Sequence, residues 1–273
     1  MFHDRSDNPK RAVSLPAPPG TAFVDLLTVP EDELLRRGRL LHPAGSVANA
    51  DIYLLEDGGS TVVLKTFRRR PWLVRLCFSR FTLAHEYAIL QRLAGIPGIP
   101  AIWGRAGRDS FLMEYIQGAG PLRNSRELTP ADYPCKAFFE RLRDLVAAMH
   151  VRGVSHGDLR RLNIMQGPDN TPYLIDFATA LSAHGPLAPL RRQIVGAVAR
   201  ADLFALAKLI ASYYPDLLTE AERHRLENIP WHLRLGRFIR KRIYGPIIKQ
   251  KHWRERWARW RHGRRRPAKA SQL

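Results

Sequence analysis

HGDLRRLNIM, residues 156–165, places a histidine, an aspartate two positions on and an asparagine five further along ahead of an apolar pair. Alone, a His-x-Asp before a short strand reads as a turn whose aspartate caps backbone amides. A second acid changes that reading. YLIDFATA, residues 173–180, puts Asp176 eighteen residues after Asp158 and thirteen after Asn163, at the end of an expected strand. The Ile164-Met165 strand and the YLID strand are joined by GPDNTP, a turn by composition. A hairpin of this kind returns the chain to its start, so Asp158, Asn163 and Asp176 are expected to converge on one small volume. Two carboxylates and an amide are all oxygen donors, the set that suits Mg2+. Left uncompensated, such a carboxylate pair would be unfavourable.

Upstream, the sequence reads as strands with one helix. TVPEDELLRRG (28–38) carries helix start and stop signals. Strands follow around Arg39–Leu41, at 50–57 and at 60–67, the last two joined across Gly58-Gly59 as a hairpin. Ala84, Tyr87, Ala88, Leu90 and Leu93 supply the apolar face of a helix from about Phe81 to Leu93, which GIPGIP (95–100) ends. Strands near 101–105 and 110–115 lead to the turn-rich IQGAGPLRNS (116–125). Downstream, helices dominate, from about Ala131 to Arg152 and over 201–214. This order predicts an α+β protein of two lobes, a small antiparallel-sheet lobe over 21–116 and a mainly helical lobe over 117–229, with a cleft between them.

Lys65, inside the strand VVLKTF, is in isolation an exposed lysine on a sheet, and alternation does not settle which face it takes. Glu86, 21 residues on in HEYAIL, lies on the helix that must pack against this sheet. A Lys–Glu pair there would hold the lysine against phosphate oxygens.

The combined order and spacing resembles the protein-kinase-like superfamily over roughly residues 39–215. The resemblance implies a two-lobed kinase-like fold binding ATP and Mg2+. It makes Lys65 the strand lysine on the phosphates, Glu86 its helix partner, Asp158 the catalytic base, and Asn163 and Asp176 the metal ligands. LMEYIQG (112–118) is similar to the inter-lobe hinge, with Met113 in the gatekeeper place and backbone groups of Glu114 and Tyr115 meeting adenine. Asp202 is similar to the aspartate that braces the catalytic loop from below. Arg160, two after the base, sits where a cation would stabilise the transferred phosphoryl group. Arg161 is expected to be solvated.

Departures from the pattern narrow the branch. HPAGSVANADIY (42–53) has no GxGxxG and offers only Gly45 and Ser46 to phosphate; Ala178 replaces the glycine of the Asp-Phe-Gly motif. No arginine precedes Asp158, and only 26 residues separate Asp176 from Asp202, too few for the usual peptide-binding platform. These features resemble RIO-type atypical serine/threonine kinases and the bacterial lipopolysaccharide-core (Kdo/heptose) kinases. All five charged or amide residues of the machinery are present, which favours an active phosphotransferase over a non-catalytic nucleotide-binding pseudokinase.

Charge is concentrated at one end. Of a formal +19, residues 231–273 hold fifteen Lys/Arg and a single acid, Glu255. Trp253, Trp257 and Trp260 recur at helical spacing among those arginines. An anionic membrane surface contacted through 231–266 is the expected partner of this basic 230–273 segment. RNA or ribosome binding, or simple docking on the helical lobe, are its competitors. The acceptor would be a hydroxyl on a lipid-linked sugar or on a protein serine. RRRPWLVRLCFSRF (68–81) repeats the basic–aromatic mixture, as a second contact surface, an acceptor element or a partly buried linker helix. Residues 1–20 read as a disordered tail. Cys77 and Cys135 lack disulfide or zinc spacing and are expected to be buried, small hydrophobes in a reducing cytosol, with no disulfide partner. The expected location is cytoplasmic, peripheral to the inner face of the cytoplasmic membrane.

Overall fold

In the computed structural model, residues 26–43, 49–57, 59–185 and 188–228 are described. A helix, α1 (Glu31–Arg37), leads into strand β1 (Arg39–His42); β2 (Asp51–Asp57) and β3 (Ser60–Thr66) form the expected hairpin. After β3 the chain turns helical earlier than expected. A short α2 (Trp72–Val74) runs through a π-helical turn (Arg75–Ser79) into α3 (Arg80–Leu93). Strands β4 (Ile102–Arg105) and β5 (Ser110–Glu114) complete an antiparallel five-stranded sheet in the order β1-β2-β3-β5-β4.

The sheet's two faces bury different cores. Tyr53, Leu55, Val62, Leu64 and Leu112 pack with Leu34 of α1 on one side. Phe111, Leu83 and Leu90 join a larger cluster that includes Phe138, Leu142 and Phe177. Lys65 lies opposite Phe111 in the β3–β5 register, so it shares the second face, towards α3. The face is ambiguous in sequence because both sides of β3 carry apolar residues.

The second half holds α4 (Lys136–Val151), the pair β7 (Val154–Ser155) with β10 (Leu181–Ser182), and α5 (Ala188–Ala211). A small sheet of β6 (Gly120–Pro121), β8 (Ile164–Gln166) and β9 (Pro172–Leu174) holds the expected hairpin and adds one strand to it. The architecture is α+β, an antiparallel sheet followed by mainly helices.

Three expectations need correction. The helix expected from Ala131 starts at Lys136, because Tyr133 is extended ahead of Pro134, as the residue before a proline prefers. The helix expected from 201 starts at Ala188, thirteen residues earlier. Its first half hides behind Gly196, two arginines and β-branched residues, and few of its side chains are buried. Cys77 and Cys135 are free but exposed, one on the outer side of the π turn and the other capping α4.

The two compact units of the chain are Met1–Glu222 and Arg223–Leu273. The basic 230–273 segment, its tryptophans and the tail at 1–20 lie outside the described residues.

A buried acid ties the start of α3 to the sheet. Asp109, in the β4–β5 turn and 1% exposed, accepts from Arg75 Nη1 and Arg80 Nε, each at 2.9 Å. The π turn makes this possible. Arg80 N–H bonds the Arg75 carbonyl, closing a wider turn that brings residues five apart onto one side. Asp109 also has its own N–H on Glu31 Oε1 at 2.8 Å, and its carbonyl takes the Phe67 N–H at 2.9 Å. Asp109→Ala removes the common partner of two half-covered guanidinium groups and is expected to destabilise the protein by about 2–4 kcal/mol. Urea unfolding of the variant against the parent measures it.

Candidate active site

The loop after α4 is shaped by a second buried carboxylate. Asp202, midway along α5 and 2% exposed, accepts the His156 N–H at 2.7 Å and the Gly157 N–H at 3.0 Å. It also meets His150 Nε2 at 3.2 Å. Gly157 has φ +77°, and a Cβ there would lie 2.8 Å from the Thr179 carbonyl oxygen, so only glycine fits. His156 is fully buried against Phe177. Its Nε2 donates to the Ile175 carbonyl at 3.2 Å and its Nδ1 accepts the Asp158 N–H at 3.4 Å. The neutral ring protonated at Nε2 satisfies both bonds.

These contacts deliver Asp158 partly exposed, with one carboxylate oxygen occupied. Oδ2 accepts Asn163 Nδ2 at 3.1 Å and Arg160 Nε at 2.9 Å. Asn163 Nδ2 also donates to the Asp158 carbonyl at 2.9 Å. Both amide hydrogens of Asn163 are thereby spent, and its Oδ1 is left as an acceptor. From Asn163 the β8–β9 hairpin returns as expected, and the Ile175 N–H closes it on the Asn163 carbonyl at 3.0 Å. Strand β9 ends at Leu174, short of the expected YLID run. Asp176 follows with φ +66°, a left-handed conformation uncommon outside glycine.

Lys65 joins the two halves. Its Nζ is 2.7 Å from Glu86 Oε1 and 3.3 Å from Asp176 Oδ1. Glu86, buried on α3, also receives the Phe177 N–H on Oε1 at 3.3 Å, while its Oε2 is buried without a partner. Burial pulls the Lys65 ammonium down, but the Glu86 and Asp176 carboxylates more than offset it and leave its pKa above the ordinary lysine value. The stabilisation this gives is therefore fully present below that ordinary value, 10.5. It is lost only as pH rises through the higher folded value.

Lys65, Glu86 and Asp176 thus meet in one network, and Asp158 and Asn163 in a second that the hairpin joins to it. Gly45 and Ser46 lie outside the described residues. Met113 is half-buried against the main core. At the expected hinge, the Glu114 N–H is bonded to the Ala101 carbonyl at 2.8 Å, and its Oε2 takes the Ala101 N–H at 2.9 Å. Glu114 therefore cannot offer its N–H to a base. Tyr115, next along, is half-buried. Arg160 is half-exposed and paired with Asp158 itself. Arg161, expected in solvent, instead donates to the Leu122 carbonyl at 2.8 Å. Sequence reading passed over His85, whose Nε2 donates to the Ala180 carbonyl at 2.7 Å. Its position beside Glu86 on the packed helix was the available signal.

Among the described residues, no three His, Cys, Asp or Glu side chains cluster as an all-protein metal cage. The Asp176 carboxylate and Asn163 Oδ1 form the sparse oxygen set of a cation that keeps waters and takes substrate phosphates. The donors present fit Mg2+ in that role.

The sequence model of the RIO domain (RIO1) matches residues 65–194. Residues 65–194 place this part of the chain in the protein-kinase-like superfamily. The match is to the RIO-type atypical kinases, a group associated with ATP-dependent phosphotransfer. The matched part of this RIO-type chain opens at Lys65 and takes in Glu86, Asp158, Asn163 and Asp176. Gly45, Ser46 and Asp202 fall outside it.

Asp202→Ala strips the acceptor from two loop N–H groups and is expected to lower unfolding free energy by about 2–4 kcal/mol. Asp202→Asn keeps one acceptor oxygen and should cost less. Urea midpoints of the two variants, side by side, check the order.

Proposed function

We propose that this RIO-type chain is an active kinase that moves the γ-phosphoryl group of ATP to an alcohol. The observation that carries the reading is the Lys65–Glu86–Asp176 chain, with contacts of 2.7 and 3.3 Å, set beside an Asp158 that keeps one oxygen unengaged. Lys65 binds ATP phosphate oxygens, held in place by Glu86. Asn163 and Asp176 would hold Mg2+, whose chemistry there is to neutralise charge on the β- and γ-phosphates. Backbone groups of Glu114 (its carbonyl) and Tyr115 line the adenine side.

Asp158 Oδ1 orients the acceptor hydroxyl and takes its proton. The new bond forms between that oxygen and the γ-phosphorus as the bond to the β,γ-bridging oxygen breaks and ADP leaves. Arg160, pinned on Oδ2, keeps the carboxylate turned so that Oδ1 faces the acceptor. Most of the acceleration comes from positioning and fixed charge.

The acceptor class we favour is a lipid-linked sugar of the lipopolysaccharide-core type, met at the inner face of the cytoplasmic membrane. Two features support it. The chain reaches α5 twelve residues after Asp176, leaving little room for a peptide-docking segment, and α5 opens with Leu190 and Ile194 exposed. The basic, tryptophan-bearing 231–266 segment suits an anionic bilayer. A serine in a protein is the second reading, favoured by the RIO domain match.

Incubating the chain with γ-labelled ATP and separated membrane and soluble extracts distinguishes the acceptors by where label appears. Asp158→Ala and Asp176→Ala are each expected to cut transfer by about 10²–10⁴-fold. A fully active Asp176→Ala enzyme defeats the assignment, and ATP binding without transfer to either fraction marks a non-catalytic scaffold.

A further inference from the structure

The helical run from Trp72 to Phe81 is polar on its inner side and apolar on its outer side. Towards the protein it directs Arg75 and Arg80, which share Asp109, and Ser79, which is fully buried. Towards solvent it presents Trp72 at 64% exposure, Leu73, Leu76 and Phe81 at 76%. Four of the nine large apolar side chains most exposed among the described residues fall in these ten positions. A helix at a protein surface ordinarily turns its apolar stripe inward. Here the π turn, by stacking Arg75 over Arg80, commits the charged side to the sheet and leaves the apolar side out. The arrangement is held firmly, by two guanidinium groups on one buried carboxylate. Large apolar side chains exposed together on one short helical run mark a contact surface.

We propose that this face seats on an anionic lipid bilayer. Charge decides against a second copy: residues 68–81 hold five arginines and no acid, so two such faces would bring like charge together, whereas a negative surface attracts them. The chemistry of the face also suits the bilayer interface. Trp72 opens it, and Arg69, exposed and stacked over Tyr53 at 5.5 Å, stands at its edge to meet headgroup phosphates. The other arginines of the stretch are already engaged, Arg68 with Asp32 and Arg70 with Asp51, so the apolar residues supply most of the contact. The inference rests on the membrane-surface reading above only for where the acceptor lies; the contact itself needs no phosphotransfer.

Cys77 lies exposed on the same stretch and gives a direct probe. In the full-length Cys135→Ser chain, a polarity-sensitive fluorophore on Cys77 is expected to shift to the blue with phosphatidylglycerol–phosphatidylethanolamine vesicles and to need several-fold more lipid for the same shift with phosphatidylcholine vesicles. Trp72→Ser with Leu76→Ser should lower affinity for the anionic vesicles about tenfold at an unaltered unfolding midpoint. A chain that binds those vesicles while the label remains in water overturns the proposal, because the 231–266 segment then makes the contact alone. A label already shielded without vesicles also overturns it, since a second copy or the chain's own C-terminal segment then covers the face. Docking in a chain that transfers no phosphate upholds this inference while refuting the proposed function.

Discussion

The buried ammonium of Lys65 is the constraint on which the rest of the structure depends. A lysine in the interior is tolerated only when paired, and its partners come from two other parts of the chain. Glu86 requires α3 to lie on the correct face of the sheet, and Asp176 requires the β8–β9 hairpin to return beneath it. Neither partner is local in sequence, since 21 and 111 residues separate them from the lysine. The folded state that satisfies Lys65 is therefore one in which sheet, helix and hairpin are all in place. The Phe177 N–H on Glu86 adds a backbone reading of the same geometry.

Two further carboxylates serve as frames, and each is almost entirely buried. Asp202 organises backbone N–H groups, so it fixes the path of the 156–163 loop without touching the side chains proposed to react. Asp109 organises guanidinium groups, so it fixes the start of α3 against the sheet. An ionised carboxylate accepts up to four hydrogen bonds, which is why a single buried acid can replace a larger apolar contact at such junctions. The strength of these frames follows from burial, because the same bonds at the surface would compete with water.

How much of this was legible in the sequence depends on the kind of signal. Asp158, Asn163 and Asp176 are polar residues at set distances from a hairpin, so their convergence could be expected from spacing. The pairing of Lys65 with Glu86 followed from packing the helix on the sheet, and the place of Asp202 only from the family resemblance. The face taken by Lys65 could not be expected, because Val62, Val63 and Leu64 make both sides of β3 apolar. The π turn was illegible because it arises from a tertiary demand: two arginines five apart meet one aspartate more than twenty residues away. The first half of α5 hid for a related reason. Its helical pattern is weak where few side chains are buried, and periodicity reports burial rather than helicity. Arg161 was misread because a loop arginine's target, here the Leu122 carbonyl, lies 39 residues away and has no local mark.

The Trp72–Phe81 face and Glu86 belong to one helical run, with the π turn and the Asp109 clasp between them. Glu86 lies about one and a half turns beyond Phe81 on the same helix. Glu86 holds Lys65 through one oxygen, and its other oxygen is buried without a partner. A buried oxygen without a partner carries a desolvation cost, which the contacts on the other oxygen must offset. The clasp at Asp109 does more than join a helix to a sheet. It also sets the register of the helical run that carries Glu86 to Lys65.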